Sequence, residues 1–320
     1  MPNSSKGFPG LGSVVVIAIA DEPMFPTFLS FPPEPRGLCI RTPTMPAMWP
    51  PDFEPCHDLT PAEWLRPRLV PWGEMGTPVT SIVPVGYDAY IRVFHPAGNG
   101  PLVDAVTWQE VADWSGGTFH ALAQFERMSI PVRLVPGSPP FESAPRLGTL
   151  ISPICDLLVR ELTRLTATPS TCYFAIWEGR GILAGGWSRL TATGRHDPDA
   201  LDTRLAAWQR EVVRLPRLEH PDRSYLLGRG PIGVIGDLYN QPLGHDPWPT
   251  LGLTPQIWWP KDHAWVVATE IDFDSTIIAT TNAGAEALLN REGLEALLVP
   301  SDGRLDISGD VINVGDTGLG

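Results

Sequence analysis

Hydrophobic residues along this chain fall into short blocks with two different periods. Ala89-Tyr90-Ile91-Arg92-Val93-Phe94 is a β-rich run that ends at His95-Pro96. Cys172-Tyr173-Phe174-Ala175-Ile176-Trp177 is an unbroken apolar block closed by Glu178-Gly179, the pattern of a buried strand. Ser224-Tyr225-Leu226-Leu227 reads as another strand, stopped by Gly228-Arg229-Gly230-Pro231, with loop expected from there to Pro260. A long strand is expected over residues 264–271, with 275–279 as its hairpin partner. Leu297-Leu298-Val299 and the segment after Ser301-Asp302-Gly303 predict short terminal strands around a turn. The helical period appears elsewhere. Thr107-Trp108-Gln109-Glu110 is a capping box that opens a helix to about Ser115. Phe119, Leu122, Phe125 and Met128 predict a second helix. Ser152-Pro153 opens the clearest one, with Ile154, Leu157, Leu158, Leu162 and Leu165 on one stripe. Residues 199–213 and 282–289 complete the helices, the last with Asn282 as its cap.

Sixteen of the thirty-six prolines lie in the first eighty residues. Proline removes backbone donors and disfavours helix in the residue before it, so an irregular leader is expected over 1–78. A short helix capped by Thr60, with Pro61 at its first position, is the exception. From Val79 the blocks described above begin. Helices and strands mix without β-α-β alternation, which predicts an α+β fold: a mixed or antiparallel sheet with helices packed on it, preceded by the Pro-rich leader. Residues 79–320 are expected to form one globular domain, or two sub-lobes meeting near residue 170.

Composition narrows the function classes. Hydrophobic residues make up 43% and charged residues 18% of the 320, enough for a real core and against global disorder. The net charge is −13, and the sixty residues from Lys261 hold eleven acids against three bases. No basic run is present, so nucleic acid and anionic membrane surfaces are not expected partners. The longest apolar run, Val14–Ala20, is too short to span a bilayer. Lys6, the apolar Leu11–Ala20 stretch and Ala18-Ile19-Ala20 imitate a secretory signal. Pro9, Gly10 and Gly12 interrupt that stretch, so a cytoplasmic location is expected and secretion is the alternative. Met24, Met45, Met48 and Met75 leave open a start downstream of Met1. The four cysteines lack paired metal-ligand spacing and read as free thiols.

Candidate chemistry centres on Thr269-Glu270-Ile271-Asp272-Phe273-Asp274. On a continuous strand Glu270, Asp272 and Asp274 share a face. They then hold a hard cation such as Mg²⁺ or Ca²⁺, or form a solvated or arginine-paired acidic edge. Arg92 and His95 make an anion or acid–base pair if the strand ends before His95, and otherwise an edge histidine. Glu178, beside Trp177 at a strand end, is a candidate general acid or base, and pairs with Glu270 or Asp272 if they converge. Trp177, Trp258 and Trp259 are candidate ligand-stacking residues, with core packing as the alternative. No nucleophile elbow, phosphate loop, dinucleotide fingerprint or HExxH is present.

Gly86-Tyr87-Asp88-Ala89-Tyr90-Ile91-Arg92-Val93-Phe94-His95-Pro96-Ala97 resembles the opening of an uncharacterised family of actinobacterial hypothetical proteins. Residues 258–276, Trp258-Trp259-Pro260-Lys261 onward, carry the more distinctive part of that resemblance. The similarity spans roughly residues 79–314, leaves out the leader, and implies a cytoplasmic bacterial protein with no activity to transfer. A looser likeness is to the SUKH class of α+β immunity and regulatory domains. The preferred expectation is a non-catalytic intracellular binding module without a cofactor, recognising a protein or small ligand through a Trp-rich acidic surface. The alternative is a divalent-metal-dependent hydrolase or transferase. There Glu270, Asp272 and Asp274 hold the cation, and His95 or Glu178 is the general base.

Overall fold

The structure, a computed structural model, describes residues 49–72, 77–99, 104–133, 137–150, 152–180, 183, 207–220, 223–241 and 250–314. These belong to one compact unit. The signal-like stretch, the leader up to residue 48 and the first residues of the helix expected from 199 lie outside them.

The protein has an α+β fold built on an antiparallel sheet. Its strands are β1 (Glu54–Pro55), β2 (Ala89–Phe94), β5 (Cys172–Trp177), β6 (Leu218–His220), β7 (Arg223–Gly230), β8 (Ile257–Pro260), β9 (Val266–Ala268), β10 (Ser275–Thr280) and β11 (Ala296–Leu298). They lie in the order β1-β7-β5-β8-β9-β10-β2-β11, and β6 pairs with the start of β7 beside β1. A separate hairpin joins β3 (Ala97–Asn99) to β4 (Asp104–Val106). The helices are α1 (Trp108–Ser115), α2 (Phe125–Met128), α3 (Ile154–Arg164), α4 (described over 207–214), α5 (Val234–Asn240) and α6 (Asn282–Leu289). The sheet is continuous across residue 170, since β5 lies at its middle and β2 near one edge.

Both faces of the sheet are buried, which is why its strands read as unbroken apolar blocks. Ile91, Phe174, Leu226, Trp258, Val267 and Ile278 face a layer made by α3, α4, α5 and α6. The alternate residues, among them Tyr173, Tyr225, Trp259, Val266 and Ile277, face a layer with no long helix. Short 3-10 turns at Thr60–Ala62, Arg66–Arg68 and Val79–Ser81 supply that cover, through Ala62, Leu65, Leu69, Val79 and Ile82. Residues 49–72, within the stretch expected to be leader, thus contribute core side chains. Proline suits them, because 3-10 turns ask for few backbone donors. Thr60 is the first residue of the first turn and not its cap, and Asp58 just ahead of it accepts from the Thr60 N–H and hydroxyl.

The capping box at Thr107–Glu110 forms as expected, worth about 1 kcal/mol. Glu295 adds a second cap, accepting from the Trp108 and Gln109 amides at 2.7 and 2.8 Å. In four places tertiary contacts override the local pattern. The helix expected from Phe119 is confined to α2, because the Ala121 and Ala123 carbonyls bind Arg92 instead of completing a helical turn. β7 runs through Gly228 and Gly230. A Cβ at Gly228 would fall inside the Phe53 ring, so glycine lets β1 and its neighbours lie flat on β7. α5 occupies part of the expected loop before Pro260. Among the described residues after Gly303 the regular features are an isolated bridge, Arg304 to Pro78, and a 3-10 turn at Ile307–Gly309.

Candidate functional site

The acidic segment does not form a strand face. β9 stops at Ala268, and the Phe273 amide donates back to the Glu270 carbonyl at 3.0 Å, closing a tight turn over residues 270–273. The three carboxylates therefore separate. Glu270 is buried and binds Arg223 Nη2 at 3.0 Å. The same nitrogen binds Asp272, at 3.0 Å, whose side chain is 70% exposed. Asp274 lies on the other side of the turn and binds Arg92 Nη2 at 3.3 Å. Burial raises the pKa of Glu270, and the Arg223 charge opposes the rise; Asp274 is raised by burial against Arg92. Among the described residues no group of three or more His, Cys, Asp or Glu is placed to hold a metal ion. Of the two expectations for this segment, the geometry matches the arginine-paired one, as two carboxylate–arginine clusters, because the turn breaks the period-two alternation that a cation face would need.

Arg92 and His95 also take separate roles. Arg92 projects from β2 into the protein and is 1% exposed. Its guanidinium donates to Ser275 Oγ (2.8 Å), the Ala121 and Ala123 carbonyls (3.1 and 2.8 Å) and Asp274, and lies over the rings of Phe94 and Trp108. It fastens residues 117–124 to the sheet edge and offers little to a ligand. His95 follows directly, since β2 does end at Phe94, but its ring is fully engaged. Nδ1 lies 2.9 Å from the Arg146 carbonyl, which can only accept, so Nδ1 carries the proton. Nε2 must then accept from the Thr276 hydroxyl at 2.9 Å, and Thr276 in turn accepts from Thr269 at 2.8 Å. Burial, with the Arg92 charge adding, pushes the His95 pKa down to about 4, so the ring is neutral. A general base needs an open nitrogen facing substrate, and His95 has none.

Glu178 sits just past β5, 45% exposed, and binds Arg217 Nε at 2.9 Å. Its arginine differs from the one that holds Glu270 and Asp272. Trp177 is half-buried, its amide donating to Gln256 Oε1 at 2.7 Å. Trp258 and Trp259 point to opposite faces and are both fully buried. Trp258 stacks near Phe174 and meets Trp265 edge-on, while Trp259 stacks on Tyr173 and meets Trp64. None of the ten described tryptophans is exposed, so their rings pack the core and line no open platform. Cys155 and Cys172 are buried, and burial pushes each thiol up to about 12, which keeps them protonated and unreactive.

Two features have no counterpart in the sequence reading. The first is a crevice between the sheet and its 3-10 cover, lined by Ile82, His220, Tyr225, Gln256, Ala268 and Glu270. The His220 ring meets Trp72 and Tyr225 edge-on, and Arg223 lies over Trp72. These polar groups converge, but the space is about 10 Å³, enough for one water and for no substrate. The second is on the surface. Ile130, Val132, Ile307, Val311, Ile312 and Val314 are between 46 and 75% exposed. They lie on two segments, 115–132 and 307–314, held together by Asn313, which makes two hydrogen bonds to the Thr118 backbone, and by Arg127, which donates to the Asp310 carbonyl; within the first segment the Val132 amide donates to the Ser115 carbonyl. The pairing of residues 307–314 with 115–132 is a tertiary fact.

No helix among the described residues is long and apolar enough to cross a membrane. No family model, curated protein or solved structure matches this chain.

Proposed function

We propose that this protein is a non-catalytic binding module that acts by recognising another protein. One observation carries the reading: among the described residues, the candidate catalytic side chains named above are bound to partners within the chain. His95 holds a carbonyl and a threonine, Glu270 and Asp272 share Arg223, Asp274 is bound to Arg92, and Glu178 to Arg217. The crevice where polar groups do converge admits one water. The described surface also exposes aliphatic side chains on two segments that hydrogen-bond to one another, and exposed apolar patches on folded proteins mark interaction sites. The ten described tryptophans are core or half-buried and are not part of this surface.

The test separates binding from chemistry. A protein recovered from the native host by cross-linking is purified and titrated into the intact chain, and both components are then weighed by mass spectrometry. Saturable binding with both masses unchanged is the expected result. A partner or small molecule that is covalently altered on incubation, with the alteration lost in Glu178→Gln or Asp272→Asn, would overturn the reading.

A further inference from the structure

We infer that Ile130, Val132, Val311 and Ile312 form a preorganised docking surface for a partner that presents an apolar face flanked by lysine or arginine. This rests on the binding-module reading and adds the place and the chemistry of recognition.

Exposure alone would not distinguish a docking surface from a loose end. The distinguishing feature is how firmly these side chains are held outward. Asp310 is fully buried, and its carboxylate accepts from the Gln124, Ile312 and Asn313 amides, from Asn313 Nδ2, and from His120 Nε2 at 3.0 Å. Those bonds hold its pKa down at about 2 against the cost of burial. A buried carboxylate therefore anchors the backbone that displays Val311 and Ile312. On the facing segment Val132 packs where a Cβ on Gly116 would otherwise sit, and Gly116 holds a left-handed φ of 77° as the α1 cap. Rigid display of apolar side chains lowers the ordering cost of association, which is how preorganised surfaces gain affinity.

The charge around the patch selects the occupant. Asp113 and Glu126 are exposed on or just before the first segment and Asp302 ahead of the second, while Arg304 is paired with Asp306, Arg127 is turned onto the Asp310 carbonyl, and Arg133 is the exposed base next to Val132 in the chain. The chain carries −13 overall. A second copy would bring the same excess of negative charge, whereas a partner with a basic rim is steered toward the patch.

The test places the photo-cross-linker p-benzoylphenylalanine at Val132, at Ile312 and, as a control, at Val213, which is 69% exposed on α4. The full chain is expressed in its native host and irradiated. One partner cross-linked from Val132 and Ile312 but not from Val213, through a peptide that joins apolar residues to Lys or Arg, is the expected result. That partner, purified, is expected to bind at least about tenfold more weakly to Ile312→Asp, and more weakly as salt rises. Circular dichroism and thermal melting of Ile312→Asp are expected to match the parent, since the side chain is 55% exposed. Cross-linking from Val213 alone, or undiminished binding to Ile312→Asp, overturns the surface and leaves the binding-module reading standing. Cross-links between copies of the chain overturn the choice of occupant. No adduct from any position overturns both proposals.

Discussion

Replacing Arg92 with methionine tests the account of the sheet edge most directly. Methionine keeps the apolar stem that packs beside Phe94 and Trp108 but removes the guanidinium. Four groups then lose their partner: the Ser275 hydroxyl oxygen, the Ala121 and Ala123 carbonyls and the Asp274 carboxylate. An orphaned buried carbonyl costs about 1 kcal/mol or more, and an uncompensated buried charge about 3–5 kcal/mol. Asp274 can escape part of its cost by taking a proton, since burial already raises its pKa. The net loss is therefore about 4 kcal/mol, a large share of the roughly 5–15 kcal/mol that holds a domain together. At a urea slope of about 2.5 kcal/mol per molar, the unfolding midpoint falls by about 1.5 M at neutral pH. Tryptophan fluorescence and far-UV circular dichroism both report the transition. The double variant Arg92→Met/Asp274→Leu removes the stranded charge and is expected to lose less than the sum of the two single changes. A midpoint drop under about 0.5 M, or strict additivity, would refute the claim that Arg92 is a buried fastener.

Other consequences are equally concrete. His95 is neutral when folded, with a pKa of about 4 against an ordinary 6.5, so the unfolded chain binds the extra proton. Its contribution to stability is therefore complete above about pH 6.5 and is lost as pH falls toward 4, amounting to about 2 kcal/mol at pH 5. A flat urea midpoint between about pH 7.5 and 5 would contradict the assignment. Asp310 and Asp306, both lowered to about 2, act in a separate window, stabilising above about pH 4 and ceasing to do so as pH falls toward 2. The two carboxylates on Arg223 are expected to differ: Asp272→Asn shifts stability by less than about 0.5 kcal/mol, and Glu270→Ala costs at least about 2 kcal/mol. Equal effects in urea titrations would mean that burial does not separate them. Gly228→Ala must displace the Phe53 ring and is expected to cost about 1–3 kcal/mol, with the cost largely relieved in a Phe53→Ala background. Full additivity of that pair would show the ring is not the obstacle. Calorimetric titration of Mg²⁺ or Ca²⁺ is expected to give no saturable heat, because Glu270, Asp272 and Asp274 are divided between two arginines. Saturable binding that Asp272→Asn removes would show that the turn rearranges around a cation.

The local patterns alone determined the elements whose signal is self-contained. The capping box at Thr107–Glu110, the stripe from Ile154 to Leu165 and the apolar blocks of β2 and β5 each become what their spacing predicts. The α+β class follows from them, since it depends only on which periods occur and in what order. Side-chain pairing across the fold decided the rest. Whether Phe119–Met128 is one helix depends on a guanidinium from β2, and whether Gly228 ends a strand depends on a phenylalanine 175 residues earlier in the chain. The acidic triplet was legible as three carboxylates. Its division between Arg223 and Arg92 was not, because both arginines arrive from distant strands. The same limit hid the aliphatic face. Residues 130–132 and 307–314 are each unremarkable in sequence, and they become one surface only where Asp310 and Asn313 fasten the second segment to the first. Backbone period is a local property and survives in the sequence; charge pairing and surface adjacency are relations between distant residues, and only the packed chain fixes them.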